Sequence, residues 1–134
     1  MATEILLNDG GAPARIIMLT MKALTTASAG DALSLHSDGT VVPADTDLGV
    51  AGGEAFIGIA LTDAAAAGPV SVITGSGVVV RANVADLAAG EGVELSADAG
   101  RLGAYTGTYP ASGQPLAVTL ENNGAAGLTK VLLL

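Results

Sequence analysis

Few side chains in this sequence could carry out catalysis. The single histidine, His36, follows Leu33-Ser34-Leu35 and precedes Ser37-Asp38-Gly39. A general base needs a positioned partner, and the sequence offers none at a recognisable spacing. Gly75-Ser76-Gly77 lacks the Gly-x-Ser-x-Gly spacing of a nucleophile elbow and predicts a turn between two apolar segments. The chain has no cysteine, which excludes thiolate catalysis. We therefore expect no catalytic residues and no enzymatic activity.

A small group of carboxylates could bind a metal ion. Asp45, Asp47 and Glu54 lie close together in the sequence, and carboxylate oxygens are ligands that Ca²⁺ prefers. The segment lacks the glycine and the terminal glutamate of a helix-loop-helix calcium loop, so we interpret it as an acidic, solvated loop. No glycine-rich pattern for binding a dinucleotide or a phosphate is present. The sequence predicts neither a metal site nor a cofactor.

The charge and hydropathy patterns exclude two kinds of partner. The 134 residues carry a formal charge of −8, and the five cations form no basic stripe that could neutralise phosphates. The longest uncharged apolar runs are interrupted by glycine, proline, serine and threonine, so none predicts a membrane span. Glu4 precedes the first apolar cluster and no cation occurs before Arg15, which is the wrong charge order for a secretory signal. We expect binding to neither nucleic acid nor a membrane.

The elements that would position these residues are predicted to be strands. Short apolar segments rich in β-branched residues recur along the chain, each bounded by glycine, proline, aspartate or asparagine, which is typical of an all-β domain. The segment 15–22 in particular suits a buried strand. Two alanine-rich stretches, 62–67 and 83–89, end at glycine and predict short helical turns. The predicted strands are 15–22, 32–36, 39–42, 56–61, 70–74, 77–82, 92–96, 116–121 and 129–134.

An internal repeat is the most informative pattern. AGDALSL at residues 29–35 recurs sixty positions later as AGEGVEL at residues 89–95, and the match continues with one single-residue slip. Coincidence is the alternative, because a chain rich in Gly, Ala, Val and Leu matches itself easily. One offset held over roughly forty-five residues favours duplication. The sequence thus predicts a single β domain, 14–134, made of two similar β-units at about 29–74 and 89–134.

The two chain ends carry apolar clusters. Residues 1–13 read as an extended arm, in which Ile5-Leu6-Leu7 is followed by a run of structure-breaking residues. The cluster could pair along a partner's sheet edge, fold back on its own domain, or remain disordered. Val131 to Leu134 ends the chain without a polar cap. We interpret this end as a core strand in preference to a subunit contact.

The pattern of turns and strands resembles a known family. The residues that carry the resemblance are the arm, then AGDALSL at 29–35, IGIALTDAAAAG at 57–68 and VSVI at 70–73. Together they resemble the capsid cement, or head decoration, proteins of tailed bacteriophages. These motifs are structural and are not a catalytic fingerprint. The resemblance implies a compact β-barrel-like (β-tulip) domain.

The resemblance also implies a partner and a location. Such a protein binds the outside of a mature icosahedral shell, as a homotrimer at three-fold and quasi-three-fold positions. By position in the arm, Glu4, Ile5, Leu6 and Leu7 would contact the underlying major capsid protein. The protein would reside in the host cytoplasm before assembly and on the outer capsid surface of the virion afterwards.

The function we expect is capsid decoration. A clamp that binds the intact lattice, and not its separated pieces, stabilises the shell by mass action. The acidic surplus keeps a protein soluble and would suit an outward-facing position on a DNA-filled particle. The alternative is a β-domain of another virion component, such as the tail or baseplate, or a cell-surface adhesin.

Overall fold

The fold is known from a computed structural model, which describes residues 4–7, 13–46, 55–107 and 114–134. These ranges contain ten β-strands and no helix, which confirms the all-β prediction. The first five strands are β1 (Arg15–Thr20), β2 (Ala32–Leu35), β3 (Val41–Pro43), β4 (Ala55–Ala60) and β5 (Pro69–Thr74). The second five are β6 (Val79–Val84), β7 (Gly92–Leu95), β8 (Leu102–Ala104), β9 (Ala117–Thr119) and β10 (Gly127–Leu133).

The ten strands form two units with the same strand order. The first unit, β1 to β5, is a sheet in the order β1-β5-β4-β2-β3. The second unit, β6 to β10, is a closed barrel that follows the order β6-β10-β9-β7-β8 around its circumference. The barrel closes where β8 pairs in parallel with β6, through Val84 and Leu102. The first sheet has a parallel bridge at the matching place, between Met21 and Val41.

The two units also share the turn that leads into their second strand. Gly30 and Gly90 both have positive φ, +93° and +84°, a conformation that glycine adopts without steric cost. The carboxylates of Asp31 and Glu91, one residue on, each accept a hydrogen bond from a backbone N–H three residues earlier, at 2.9 and 2.7 Å. The Gly-acidic pattern found in the sequence therefore marks the same turn twice.

A common core joins the units. The larger apolar cluster is centred on the barrel, but the first unit contributes Ala32, Ala44, Ile59 and Ile73 to it, all of them fully buried. The first unit also has a smaller cluster of its own. Its buried members are Met21, Ala27, Leu33, Val41, Ala60, Ala64, Val70 and Val72.

Polar contacts reinforce the junction between the units. Asn83 at the end of β6 donates its backbone N–H to the carbonyl of Gly30, at 2.8 Å. Its side-chain Nδ2 lies 3.2 Å from Oδ1 of Asp31, and its Oδ1 accepts a hydrogen bond from Nε of Arg101 at 3.0 Å. The bonds to Gly30 and Asp31 cross from β6 to the turn of the first unit, while the bond from Arg101 holds the Asn83 side chain in place.

The two predicted helical turns are wrong. In the stretch 62–67, Ala64 exchanges backbone hydrogen bonds with Ala27 at 2.9 and 3.1 Å, so cross-chain pairing prevails over the helix propensity of alanine. In the stretch 83–89, the first two residues complete β6. No helix in the part of the chain that the structure describes is long and apolar enough to cross a membrane.

The C-terminal segment is a core strand, as expected. Residues alternate along β10, so that Val131 and Leu133 are buried while Leu132 is half-buried between them. β10 lies between β6 and β9 and pairs with both. It therefore occupies a central position in the barrel wall.

One exposed turn holds a residue in a strained conformation. Leu24 has φ of +67°, which is costly for a residue with a Cβ, and its side chain is 96% exposed. The carbonyl of Lys22 accepts hydrogen bonds across this turn from the N–H of Thr25, at 3.2 Å, and from that of Ala67, at 3.4 Å. Ala67 also has positive φ, +58°. The strain is therefore concentrated where these two turns meet.

Replacing Leu24 with asparagine is expected to stabilise the fold. Asparagine tolerates positive φ better than leucine, and almost no leucine burial is lost, so Leu24→Asn should gain up to about 1 kcal/mol. For a chain of this size that corresponds to a Tm rise of roughly 3–5 °C in a calorimetric scan. Thr26→Asn, at a nearby exposed residue, is the control and should leave Tm unchanged. An unchanged or lower Tm for Leu24→Asn would contradict the assignment of strain.

Candidate partner-binding surface

The segment Glu4 to Leu7 forms an additional short strand along β6. Leu6 and Val80 form an antiparallel bridge. On either side of it, the N–H of Leu7 donates to the carbonyl of Val79 at 3.1 Å, and the N–H of Arg81 donates to the carbonyl of Ile5 at 2.8 Å. The outer edge of β6 is thus paired along its first half.

This segment is also anchored by its side chains. Ile5 is only 3% exposed and belongs to the larger core cluster. The guanidinium of Arg81 donates from Nη1 to the backbone carbonyl of Glu4 at 2.9 Å. Of the three arrangements open to the apolar cluster of the arm, these four residues adopt the one folded back on their own domain. Residues 1–3 and 8–12 lie outside the described residues.

For the predicted capsid contact, the four arm residues divide into two groups. The side chain of Ile5 points into the core, while Glu4 is exposed and Leu6 and Leu7 are half-buried. Contact with a partner through these residues remains a prediction. If it occurs while the segment stays on β6, Glu4, Leu6 and Leu7 are the residues available for it.

β1 is the corresponding strand of the first unit, and none of the residues that the structure describes covers its outer edge. It pairs with β5 alone among the described strands. The interpretation of 15–22 as a buried strand is wrong in its burial, because Ile16, Ile17 and Met18 are 50%, 42% and 66% exposed. An apolar run of this kind does not distinguish a central strand from an edge strand, and here it lies at the edge.

The correspondence between β1 and β6 can be made residue by residue. The closing bridges place Met21 opposite Val41 and Val84 opposite Leu102, so positions in β1 and β6 correspond at an offset of sixty-three. Ile17 is then the counterpart of Val80. Val80 is fully buried and pairs with the N-terminal segment, whereas Ile17 is 42% exposed. Val80 lies in a closed barrel and shares a core cluster with Ile5 of the covering segment, whereas Ile17 lies at the edge of an open sheet.

Two cations flank the exposed edge. Arg15 begins β1 and Lys22 follows its end, so two of the five cations flank a strand in a protein of net charge −8. Neither β1 nor β5 contains a carboxylate. The Nζ atom of Lys22 lies 2.9 Å from Oδ2 of Asp38, which is on the turn between β2 and β3. We call the outer side of β1, with Arg15 and Lys22 at its ends, the β1 edge.

The single histidine lies in the same turn as Asp38. Its Nδ1 is 3.1 Å from Oδ1 of Asp38. The hydroxyl and the N–H of Thr40 both donate to Asp38, and these bonds, with a further one from Lys22, hold the pKa of the Asp38 carboxyl well below its usual range. A carboxylate stabilised in this way is a poor proton acceptor. The geometry describes a structured turn that holds Lys22.

The other candidate chemical groups are dispersed. Ser76 is exposed at the tip of the turn between β5 and β6, where Gly75 and Gly77 have φ of +127° and +79°, which confirms the predicted turn. Among the described residues there is no group of three or more side chains that could hold a metal ion. Asp47 and Glu54 of the acidic loop lie outside those residues.

The sequence analysis did not single out the buried carboxylate, Glu94. Its side chain is on β7 and is only 4% exposed. Oε1 accepts hydrogen bonds from the N–H groups of Thr106 and Gly107 at 2.7 and 2.8 Å, and Oε2 accepts one from the hydroxyl of Thr106 at 2.9 Å. Glu94 thus anchors the segment after β8. The signal in the sequence was Glu94 itself, an acidic residue between Val93 and Leu95 in a predicted strand.

The architecture is therefore that of two similar β-units, of which one has its edge strand covered by Glu4 to Leu7 and the other has no described segment on its edge strand. No known protein family matches the sequence, and no curated protein does. Among solved structures, the chain is similar to the crystal structure of the head fiber gp8.5 N base of bacteriophage phi29. The TM-score is 0.59 at 11% sequence identity, and the match covers 90% of this chain and 95% of that one. At this identity the likeness establishes a shared fold.

Shortening Ile5 is expected to destabilise the domain. Ile5→Ala removes buried methyl groups from the larger cluster and should cost about 2–4 kcal/mol in the free energy of unfolding. Glu4→Ala, at the neighbouring exposed residue, is the control and should change stability by less than about 0.5 kcal/mol. Urea unfolding followed by circular dichroism measures both. Equal stability of the two variants would show that the segment does not contribute to the core in solution.

The hydrogen bonds to Asp38 predict a titration effect. In Thr40→Val the hydroxyl donor is lost, so the pKa of Asp38 should rise towards its usual value, as measured by an NMR titration of its carboxyl carbon. Because a lowered pKa stabilises the fold above the usual carboxyl pKa, that contribution is lost as the pH falls through the folded-state pKa. Thr62→Val makes the same change at an exposed threonine that does not bond Asp38, and it should leave the pKa of Asp38 unchanged. An unchanged pKa in Thr40→Val would refute the assigned cause.

Proposed function

We propose that this protein is a structural protein of a tailed-phage virion that decorates the outside of the mature capsid. The observation that carries the proposal is the shared fold with the head fiber gp8.5 N base of bacteriophage phi29, which extends over nine-tenths of this chain. The resemblance of the turn-and-strand motifs to capsid cement proteins is a second, independent support. In this role the protein bridges neighbouring major capsid protein subunits.

The described surface suits binding better than catalysis. The β1 edge presents three adjacent large apolar side chains, and runs of this kind on a soluble protein mark interaction sites. His36 is held in a turn by Asp38, and the other candidate groups are dispersed. We therefore propose that the protein is not an enzyme. Its contribution to the virion is mechanical.

Decoration stabilises a shell through linkage. A protein that binds across two neighbouring subunits favours the intact lattice, by an amount that grows with its concentration relative to its Kd. As a homotrimer at three-fold and quasi-three-fold positions, each copy after the first would bind at an effective concentration in the millimolar range. Weak individual contacts are then sufficient. We propose that the protein binds the shell as such a homotrimer.

The net charge is consistent with an outward position. A chain with a net charge of −8 is repelled by packaged DNA over most of its surface. The β1 edge carries Arg15 and Lys22, of which Lys22 is ion-paired with Asp38, and neither β1 nor β5 contributes a carboxylate. The proposed orientation therefore places the acidic surfaces outward and leaves the β1 edge for contact with protein.

A second candidate is a β-domain of another virion component, such as a fiber, tail or baseplate, or of a cell-surface adhesin. The similar structure is the base of a head fiber, and this is the observation in favour of the second candidate. The two candidates differ in copy number. Hundreds of copies per particle fit decoration, whereas a few dozen or fewer fit a fiber or tail part.

The direct test is reconstitution on a shell. Purified protein is mixed with expanded capsids that lack it, and occupancy is measured by electron microscopy together with the temperature at which the shells rupture. We expect binding at many equivalent positions and a higher rupture temperature. Unexpanded procapsids serve as the control and should bind less protein. Absence of binding, or binding without protection, would refute the proposal.

A further inference from the structure

The two units differ at one matching place. The outer edge of β6 is covered by the segment Glu4 to Leu7, while no strand within residues 4–7, 13–46, 55–107 and 114–134 covers the β1 edge, at the equivalent position of the first unit. The covered edge therefore shows what kind of segment this architecture accepts. It is extended, it runs antiparallel to the edge strand, and its central residues are aliphatic.

The backbone of β1 presents the same hydrogen-bonding groups as β6. The N–H of Met21 donates to the carbonyl of Gly68 on the side of β5, at 2.8 Å. Because successive residues of a strand alternate in direction, Ile16 and Met18 direct their N–H and C=O groups to the other, outer side. Their counterparts in β6 are Val79 and Arg81, whose outward groups bond the N-terminal segment. The same pair of bonding positions is thus present at the β1 edge.

The side chains around the β1 edge leave an apolar site partly open. Alternation places Ile17 on the same face as Leu19 and Met21, above the smaller cluster. Leu19, Leu35 and Ile57 are partly buried against that cluster. In the second unit, Ile5 fills the corresponding end and Val80 is fully buried. A large aliphatic side chain over Ile17 would complete the first unit in the same way.

Charge identifies the occupant more closely. Two β1 strands paired antiparallel about Ile17 would place Arg15 of one copy opposite Leu19 of the other. Neither strand contains a carboxylate, so self-pairing offers Arg15 no opposite charge. A segment with carboxylates at its ends is favoured instead. The segment bound to β6 begins with a carboxylate, Glu4, before its aliphatic residues, and in the sequence Asp9 follows two residues after Leu7.

We propose that the β1 edge binds an extended, aliphatic segment of the capsid protein, flanked by carboxylates, as an added antiparallel strand. The identity of the partner rests on the proposed function, while the chemistry of the segment rests on the strand already present on β6. Main-chain hydrogen bonds to Ile16 and Met18 supply affinity, and contact with Ile17 and the flanking cations supplies selectivity.

The first test uses a peptide and the full chain. The probe is a synthetic peptide of residues 2–9, ATEILLND, and binding is followed by amide chemical shifts in NMR. We expect shifts concentrated on β1 and its neighbours, and binding at least tenfold weaker when Glu4 and Asp9 of the peptide are replaced by lysine. Shifts confined to β6 would mean that the peptide merely displaces the chain's own segment, and they would overturn the proposal.

Two matched variants test the edge itself. Ile17→Lys places a charge on the β1 edge, and Leu120→Lys does the same at a distant residue of nearly equal exposure, 42% against 41%. Ile17→Lys should weaken peptide binding at least tenfold and Leu120→Lys should not. Met18→Pro, which removes one outward N–H, should also weaken it. Circular dichroism confirms that each variant is folded, and full binding by a folded Ile17→Lys protein would refute the proposal.

The capsid experiment separates this proposal from the proposed function. If the wild-type protein and Leu120→Lys bind expanded capsids and Ile17→Lys binds at least tenfold more weakly, both proposals are supported. If all three bind equally, decoration stands and the β1 edge is not its contact. If none of the three proteins binds, the proposed function is refuted, and the peptide experiment decides whether the β1 edge binds an added strand. Dissociation of a free oligomer by Ile17→Lys would assign the edge to contacts between copies and overturn the proposal.

Discussion

The structure depends on how its edge strands are covered. A strand at the edge of a sheet exposes unpaired N–H and C=O groups, and when its side chains are apolar it also exposes surface that favours association. In the second unit β8 closes the far end of β6 and the segment Glu4 to Leu7 covers the rest. The result is a closed barrel with a core of Val, Leu, Ile and Ala and no aromatic side chain among its fully buried members.

The first unit follows the same strand order without the same closure. In the part of the chain that the structure describes, a single bridge between Met21 and Val41 joins its two edge strands, and no added strand lies on β1. The shared core compensates in part, since the first unit contributes fully buried residues such as Ile59 and Ile73 to the larger cluster. Its own cluster remains only partly covered on the side of Ile17. One domain therefore contains both a completed and an incomplete version of the same arrangement.

Much of the architecture could be predicted from the sequence, because period-two apolar segments between turn residues specify strands directly. The sixty-residue repeat aligned turns that share hydrogen bonds, such as those at Gly30 and Gly90. The strand β8 was not predicted because Leu102-Gly103-Ala104 has no β-branched residue. The sixty-residue repeat nevertheless aligns this segment with β3 of the first unit. The helical turns failed because backbone pairing outweighed alanine's preference. The exposure of β1 could not be predicted, since burial depends on which strand lies beside it.

The uncovered edge also bears on how a small, acidic chain can attach to a shell. Affinity through main-chain bonds tolerates change in the partner's side chains, and Arg15 at one end of the edge favours a partner segment that carries a carboxylate there. Covering the β1 edge would complete the core of the first unit, so a bound partner would also stabilise the domain that holds it. Stability of the domain and strength of attachment are therefore linked at Ile17. A substitution there acts on the complex far more than on the free chain, because in the free chain this side chain is already partly in water.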